Sequence, residues 1–172
     1  MKKPVYTLIF FSLIAFNCIA QNTPVHEYLM KQDFPDSVRN VPAETLQGET
    51  ITLERILSKY KGKTIVLDVW ASWCRDCIVG VPKLNDIIKR TADENIVYVF
   101  LSVDDNAEKW RLAIERFKIP GEHFRIKAGW KNPFANYIAL DWVPRYMILN
   151  DSGRVVKPKE ITAEGLDELL GK

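Results

Sequence analysis

Two short apolar runs that flank an amphipathic segment constrain the fold of this 172-residue chain more than any other feature. The runs are Thr64–Trp70 (TIVLDVW) and Ile96–Val103 (IVYVFLSV), and both are rich in β-branched residues. Such runs are typical of parallel strands, because helices cover both faces of a parallel sheet. Between them, apolar residues recur every three or four positions, at Cys77, Val81, Leu84 and Ile88. This spacing predicts a helix from Arg75 to Arg90, and hence a strand–helix–strand unit.

Further elements are predicted on both sides of this unit. Leu46–Ile51 has the sequence of a hairpin turn, and a short helix is expected over Leu53–Tyr60. After the second strand, another helix is predicted to begin at Asp104 or Asp105, since Asp105 and Glu108 have the spacing of a capping box. Strands and helices therefore continue to alternate along the chain.

The C-terminal part of the chain is predicted to end in a hairpin and a helix. Asn132–Leu140 is a further helix candidate. Pro144–Leu149 and Arg154–Lys157 flank an Asn-Asp-Ser-Gly turn, so this pair of strands is antiparallel. Thr162 caps a closing helix that ends at Leu170. The predicted fold class is therefore α/β, with a central mixed sheet flanked by helices.

The first twenty residues have the organisation of a secretory signal peptide. Lys2 and Lys3 precede an uncharged, mostly apolar run from Val5 to Phe16, and the small residues Cys18 and Ala20 follow. A basic start, an apolar centre and small residues before the cleavage site are the three parts of such a signal. We therefore expect cleavage after Ala20 and an exported, periplasmic protein.

Three other interpretations of this segment stay open. A retained membrane anchor needs about 20 apolar residues, and this run is shorter. A lipoprotein signal would attach lipid to Cys18, but Asn17 precedes it where such signals usually carry Gly, Ala or Ser. The third is a buried N-terminal helix. After cleavage we expect no stable membrane insertion, a loosely structured segment over residues 21–44, and one domain over residues 45–172.

The charge of the mature chain argues against binding to nucleic acid. The sequence has 24 basic and 22 acidic residues, and removal of Lys2 and Lys3 leaves 22 of each. A neutral chain without basic runs lacks the electrostatic footprint that DNA or RNA requires. A hydrophobic content of 47% also excludes a disordered chain.

The chemistry is predicted at Cys74 and Cys77, the two cysteines that follow the leader. Both stand where a buried strand passes into a helix, and a separation of three residues lets their sulfur atoms bond. The helix N-terminus offers N–H donors and a positive dipole end, which favour a thiolate at Cys74. Because Cys77 lies on the inward face, we expect an exposed, attacking Cys74 and a shielded, resolving Cys77.

Three alternatives to redox chemistry compete at this pair. A zinc site needs four ligands, and only His26 and His123 remain, neither at a ligand-like spacing. Both histidines are interpreted as surface or packing residues, with His123 in a loop. Haem attachment needs a histidine where Ile78 stands. An inert structural disulfide would not explain the position at a helix N-terminus, so thiol–disulfide exchange is favoured.

These residues resemble a known family. The sequence VLDVWASWCRDC, with Pro82 five residues after the second cysteine and Val143-Pro144 before the last hairpin, resembles thioredoxin. The resemblance is greatest to the exported TlpA/ResA-like thiol–disulfide oxidoreductases and covers about Thr45 to Leu170. It implies a thioredoxin fold with an N-terminal hairpin extension, and an insertion at Lys118–Trp142.

The same resemblance implies roles for single residues. Asp68 matches the buried aspartate that assists proton transfer at the resolving cysteine. Because burial of an aspartate costs free energy, its place in an apolar strand favours a functional role. Pro144 matches a cis-proline that lies against the disulfide, with Val143 and Trp73 beside the substrate. Trp70 also matches a family tryptophan, although a tryptophan near a strand end is often only part of the core.

Two positions depart from the family pattern. Many members have proline just before the second cysteine, where this chain has Asp76. A carboxylate there opposes the helix dipole and disfavours the Cys74 thiolate, while Arg75 offsets part of this effect. Exported members also often carry glutamate where this chain has Gly80, and Asp68 is the acid that could take its place. These departures bear on the direction of the reaction.

The sequence thus predicts a monomeric periplasmic reductase that exchanges a Cys74–Cys77 disulfide with disulfides of substrate proteins. The resemblance implies no metal or organic cofactor, and an exported site requires a membrane-bound electron donor. Two alternatives are kept. One is a peroxide-reducing or disulfide-forming enzyme on the same fold. The other is a non-catalytic module that binds peptides in the groove at Pro144.

Overall fold

The computed structural model describes residues 32–92 and 94–171, which form one mixed sheet with helices around it. The helices are α1 (Asp36–Arg39), α2 (Leu53–Lys59), α3 (Arg75–Arg90), α4 (Ala107–Phe117), α5 (Pro133–Tyr137) and α6 (Ala163–Leu170). The strands are β1 (Pro42–Thr45), β2 (Thr50–Thr52), β3 (Thr64–Trp70), β4 (Ile96–Ser102), β5 (Glu122–Ile126), β6 (Arg145–Leu149) and β7 (Val155–Glu160).

The sheet has seven strands in the order β2-β1-β5-β4-β3-β6-β7. The central pairs β3–β4 and β4–β5 are parallel, whereas β6 and β7 add an antiparallel edge on one side and the β1–β2 hairpin adds another. The predicted fold, a mixed α/β sheet with an N-terminal hairpin extension, is therefore confirmed.

Strand β3 and helix α3 have the predicted bounds, because both follow from short-range patterns. Six of the seven residues of β3 are buried, as expected for a strand covered on both faces. The inward stripe of α3 differs at one position, since Ile87 is fully buried and Ile88 is only half-buried. With 3.6 residues per turn, both positions lie near the same face after Leu84, and packing decides between them.

Helix α4 begins at Ala107, later than the sequence predicts. Its N-cap is Asn106, whose side chain accepts a hydrogen bond from the Lys109 N–H at 2.9 Å. The predicted capping residue Asp105 does not start the helix, and Asp104 is buried in other hydrogen bonds. Asparagine caps helices as well as aspartate does, so the capping-box spacing of Asp105 and Glu108 predicted the wrong N-cap residue.

Strand β5 was not predicted, and it lies inside the expected insertion. It places His123 in the sheet, so the expectation of a loop there is wrong. The imidazole is buried as a packing residue, its ring centroid is 4.9 Å from that of Phe100, and Nε2 lies 2.9 Å from the Ile119 carbonyl oxygen. Burial lowers the pKa of His123. Trp70 is also buried, with its ring edge-on to the imidazole.

The segment predicted to be loosely structured is ordered over its described part, residues 32–44. It contains α1 and β1, and its apolar side chains are buried: Phe34, Val38, Val41 and Ala43. The Phe34 ring packs edge-on against Phe134 and Tyr137. The expectation is wrong here because these scattered apolar residues find partners in a distant part of the chain. The predicted leader, His26 and the rest of segment 21–44 lie outside the described residues.

Candidate active site

The two cysteines form a disulfide at the start of α3, with Cα atoms 5.3 Å apart. Cys74 is the N-cap of the helix, and its Sγ accepts a hydrogen bond from the Cys77 N–H at 3.0 Å. In the reduced protein the same N–H and the helix dipole would stabilise a thiolate at Cys74. The local sequence therefore builds a thiol-activating position from backbone groups.

Exposure does not distinguish the two cysteines, because Cys74 is 6% exposed and Cys77 is 7% exposed. The expectation of an exposed Cys74 is therefore wrong for the disulfide form. The physical reason is that Val143 covers the sulfur, with its carbonyl oxygen 3.3 Å from Cys74 Sγ. Cys74 nevertheless lines a surface groove, and Cys77 is not among the residues of its wall.

The groove beside Cys74 has a volume of about 430 Å³, and three tryptophans are part of its wall: Trp73, Trp130 and Trp142. Trp73 and Trp142 are 61% and 56% exposed, and the ring centroids of Trp73 and Trp130 are 6.1 Å apart. Three charged residues also line it: Arg75, Asp76 and Asp141. We call this surface the tryptophan groove. It offers aromatic faces and the apolar side chain of Val143 next to the reactive sulfur.

The structure brings together three of the predicted binding residues and two that were not predicted. Trp73 and Val143 lie at Cys74, and Pro144 follows directly with a cis peptide bond, the state that the resemblance implied. Trp130 and Trp142 were missed as site residues. The signal that could have found them is their position in the expected insertion, which ends just before Val143.

Asp68 is buried at the centre of the sheet, between strands β4 and β6. It is 5% exposed, and its Oδ1 has no hydrogen-bond partner among the described residues. Burial raises the pKa of this carboxyl to about 8. A free thiol has a pKa of about 8.5, so the Asp68 carboxyl and a cysteine thiol hold their protons about equally strongly.

Tyr146 is a further residue of this interior that sequence analysis missed. It lies opposite Asp68 in the antiparallel β3–β6 pair, so both side chains point to the same face of the sheet. Burial and the nearby Asp68 carboxylate raise the pKa of Tyr146. A Cβ built on Gly80 would lie 3.7 Å from the Tyr146 hydroxyl oxygen. The hydroxyl thus lies beside the position where exported relatives often carry glutamate.

Asp76 and Arg75 lie exposed in the first turn of α3, on the wall of the tryptophan groove. We expect Asp76→Asn to raise the reduction potential by roughly 10–30 mV, because the variant loses a solvent-screened negative charge that disfavours the Cys74 thiolate. Equilibration of wild type and variant against glutathione measures this shift. An unchanged or lower potential for the variant would contradict the prediction.

Among residues 32–92 and 94–171, no cluster of three or more His, Cys, Asp or Glu side chains is arranged to hold a metal ion. The groups that lie at the disulfide are instead the side chains of the tryptophan groove and the backbone groups of Val143 and Cys77. This set can support thiol chemistry and contact with a polypeptide.

Comparison with known proteins agrees with this geometry. A family model described as thioredoxin-like matches residues 62–155. The thiol-disulfide oxidoreductase ResA of Bacillus thuringiensis is 20% identical over 144 residues, which cover 83% of this chain and 79% of ResA. The chain spans less than half the length of two other curated relatives that it matches, an uncharacterised protein of Haemophilus influenzae (44%) and thioredoxin F of Oryza sativa (42%).

Solved structures show the same fold. The solution structure of a protein from Bacteroides vulgatus, assigned as a thiol-disulfide oxidoreductase, is 26% identical with a TM-score of 0.65, and the match covers 81% of this chain and 91% of that one. A thiol-disulfide oxidoreductase from Bacteroides fragilis is 21% identical with a TM-score of 0.63, over 77% and 98% of the two chains. The enzyme class that these relatives share is thiol–disulfide oxidoreductase, and the chain belongs to the thioredoxin-like family.

Proposed function

We propose that this protein is an exported reductase that exchanges the Cys74–Cys77 dithiol and disulfide with disulfides of substrate proteins. One observation carries the proposal: Cys74, the N-cap residue of α3, also lines the tryptophan groove. A substrate segment seated in the groove would thus meet the more activated of the two sulfur atoms.

The first step is attack of the Cys74 thiolate on a substrate disulfide. A bond forms between Cys74 Sγ and one substrate sulfur, the substrate S–S bond breaks, and the second substrate sulfur leaves as a thiolate that takes up a proton. The Cys77 N–H, 3.0 Å from Cys74 Sγ, holds the attacking thiolate in place before the reaction. Trp73 and the residues around Pro144 position the substrate.

The second step releases the substrate. Cys77 passes its proton to Asp68, whose pKa of about 8 matches that of a thiol. The Cys77 thiolate then attacks Cys74 Sγ, the Cys74–Cys77 bond forms, the mixed disulfide breaks, and the substrate sulfur leaves as a thiolate that takes up a proton. Two electrons have moved from the protein dithiol to the substrate, which leaves reduced.

The place of action and the electron donor rest on the sequence. The signal-like leader supports cleavage after Ala20 and a periplasmic protein, with lipid attachment at Cys18 as the alternative. Over the described residues, the helices are all too short or too polar to span a membrane. An exported dithiol needs a membrane-bound donor to restore it. We infer that the protein acts as a monomer on protein substrates.

The reduction potential tests the direction of the reaction. We expect a value nearer to about −270 mV, which suits a reductase, than to about −120 mV, which suits an oxidant. The exposed Asp76 carboxylate in the first turn of α3 disfavours the thiolate form and so shifts the potential in the direction of the reductase, by the roughly 10–30 mV expected above. Equilibration of the mature protein with glutathione buffers measures it. A value near that of the oxidant would instead support the disulfide-forming alternative.

A further inference from the structure

A buried carboxyl that takes no part in these steps holds the loop before Cys74. Asp104 is 2% exposed and lies just beyond the end of β4. Its oxygen atoms accept hydrogen bonds from the Ser72 N–H (2.8 Å), the Ser72 hydroxyl (2.6 Å) and the Ser102 hydroxyl (2.8 Å). Three donors on one buried carboxyl offset its desolvation, and two of the three belong to a single residue.

The topology explains why Asp104 meets this loop. Strands β3 and β4 are parallel neighbours, so their carboxyl ends lie at the same edge of the sheet. The Val103 N–H donates to the Trp70 carbonyl at 2.9 Å and continues the pairing just beyond β4. Asp104 directly follows Val103 just beyond the end of β4, and Ser72 lies in the loop that follows Trp70 at the end of β3.

The loop is a tight turn whose last residue is the reactive cysteine. The Cys74 N–H donates to the Ala71 carbonyl at 3.0 Å, which makes Ser72 and Trp73 the central residues of the turn. Ser72 is bound to Asp104 through both its backbone and its side chain. Its position therefore sets where the turn ends, and so where Cys74 Sγ stands relative to the Cys77 N–H.

We propose that Asp104 is a positioning residue for the reaction: through Ser72 it holds the turn so that Cys74 Sγ faces the Cys77 N–H and the tryptophan groove. This inference rests on the proposed function only in taking Cys74 as the attacking thiol. It assigns a use to a buried carboxyl that lies outside the Cys-x-x-Cys motif and contacts neither sulfur atom.

The test removes one hydrogen bond of this contact and leaves the buried carboxyl in place. Ser72→Ala deletes the hydroxyl donor, Ser72→Thr keeps it, and Asp104→Ala is avoided because it leaves three buried donors without an acceptor. Tyr98→Phe is the control, since it deletes another buried hydroxyl contact, 2.7 Å to Thr91 Oγ1, near the start of β4. The reduced mature proteins are treated briefly with iodoacetamide from pH 5 to pH 9, and the labelled cysteine is mapped by mass spectrometry.

We expect Ser72→Ala to slow alkylation of Cys74 at pH 7 by roughly three- to tenfold, because a thiol displaced from the N–H donor has a higher pKa. The midpoint of its pH profile should rise accordingly. Ser72→Thr and Tyr98→Phe should stay within about twofold of wild type, although Tyr98→Phe lowers the melting temperature. The charged groups that line the tryptophan groove with Cys74 are unchanged in every variant: Arg75, Asp76 and Asp141.

Two results would overturn the inference. One is a wild-type rate and pH midpoint for Ser72→Ala. The other is an equal slowing by Tyr98→Phe, which would make the effect a general consequence of lost stability. Labelling of Cys77 instead of Cys74 in the wild type is distinguishable from both, because it is seen without any variant. It would contradict the proposed roles of the two cysteines themselves.

Discussion

A Cys77→Ser variant will accumulate a mixed disulfide with a protein substrate, whereas Cys74→Ser will form none. Without Cys77 the first exchange still takes place, but no second thiolate releases the substrate. Without Cys74 the sulfur at the tryptophan groove is gone, and turnover of a protein disulfide should fall by roughly three orders of magnitude. Non-reducing electrophoresis and mass spectrometry after incubation of the reduced variants with a disulfide-containing protein measure both effects.

The two single variants control for each other, since each replaces one sulfur of the same disulfide by oxygen. Covalent trapping by Cys74→Ser would reverse the roles of the cysteines. Equal binding of peptides by wild type and both variants, without turnover by wild type, would instead support the non-catalytic module. Faster reduction of hydrogen peroxide than of a protein disulfide by wild type would favour the peroxide-reducing alternative.

Asp68→Asn will stabilise the protein at pH 7 by on the order of 4 kcal/mol, and this gain will shrink towards pH 4. The carboxyl has a pKa of about 8 in the folded protein against an ordinary value of 3.8, so the folded state binds more protons between these values. The free energy of unfolding that the Asp68 carboxyl contributes to the wild type is therefore fully present below about pH 4, and it is lost as the pH rises to about 8. Asparagine stays neutral throughout.

Urea unfolding of wild type and Asp68→Asn from pH 4 to pH 8 measures this difference. Glu44→Gln is the matched control of opposite sign, because Glu44 is also buried but its pKa is lowered, chiefly by its hydrogen bond with Arg125. It should lose stability at pH 7, where the Glu44 carboxylate is paired. A stability difference between Asp68→Asn and wild type that does not vary with pH would contradict a raised pKa at Asp68.

The same substitution separates the two chemical steps. Asparagine cannot take the proton of Cys77, so release of the mixed disulfide should slow more than its formation, which depends on the helix N-terminus at Cys74. Rapid-mixing kinetics with a small disulfide substrate resolve the two phases. Equal slowing of both would assign Asp68 a structural role only.

Local patterns explain why part of the fold and site could be predicted. The bounds of β3 and α3 follow from an apolar run and a helical period, which depend on residues a few positions apart. Cys74 and Cys77 stand at the join of the two elements, so their place at a helix N-terminus follows as well. The capping role of Thr162 is equally local, since its hydroxyl oxygen accepts from the Gly165 N–H.

Other features needed residues that are far apart in sequence. The β5 sequence Glu-His-Phe-Arg-Ile has no clear alternation, and it becomes a strand because β1 and β4 pair with its two edges. Phe34 lies about a hundred residues before its partners Phe134 and Tyr137. The burial of Cys74 depends likewise on Val143, which arrives from beyond the insertion.

The sequence by itself determined the strand–helix–strand unit and the activated position of Cys74, because hydrophobic periodicity and helix-end chemistry act over a few residues. Only the tertiary structure decided what surrounds that sulfur. It placed Trp130 and Trp142 in the groove, set Tyr146 opposite Asp68, and brought Asp104 to Ser72. These contacts arise from the order and register of strands in the sheet, which long-range packing selects.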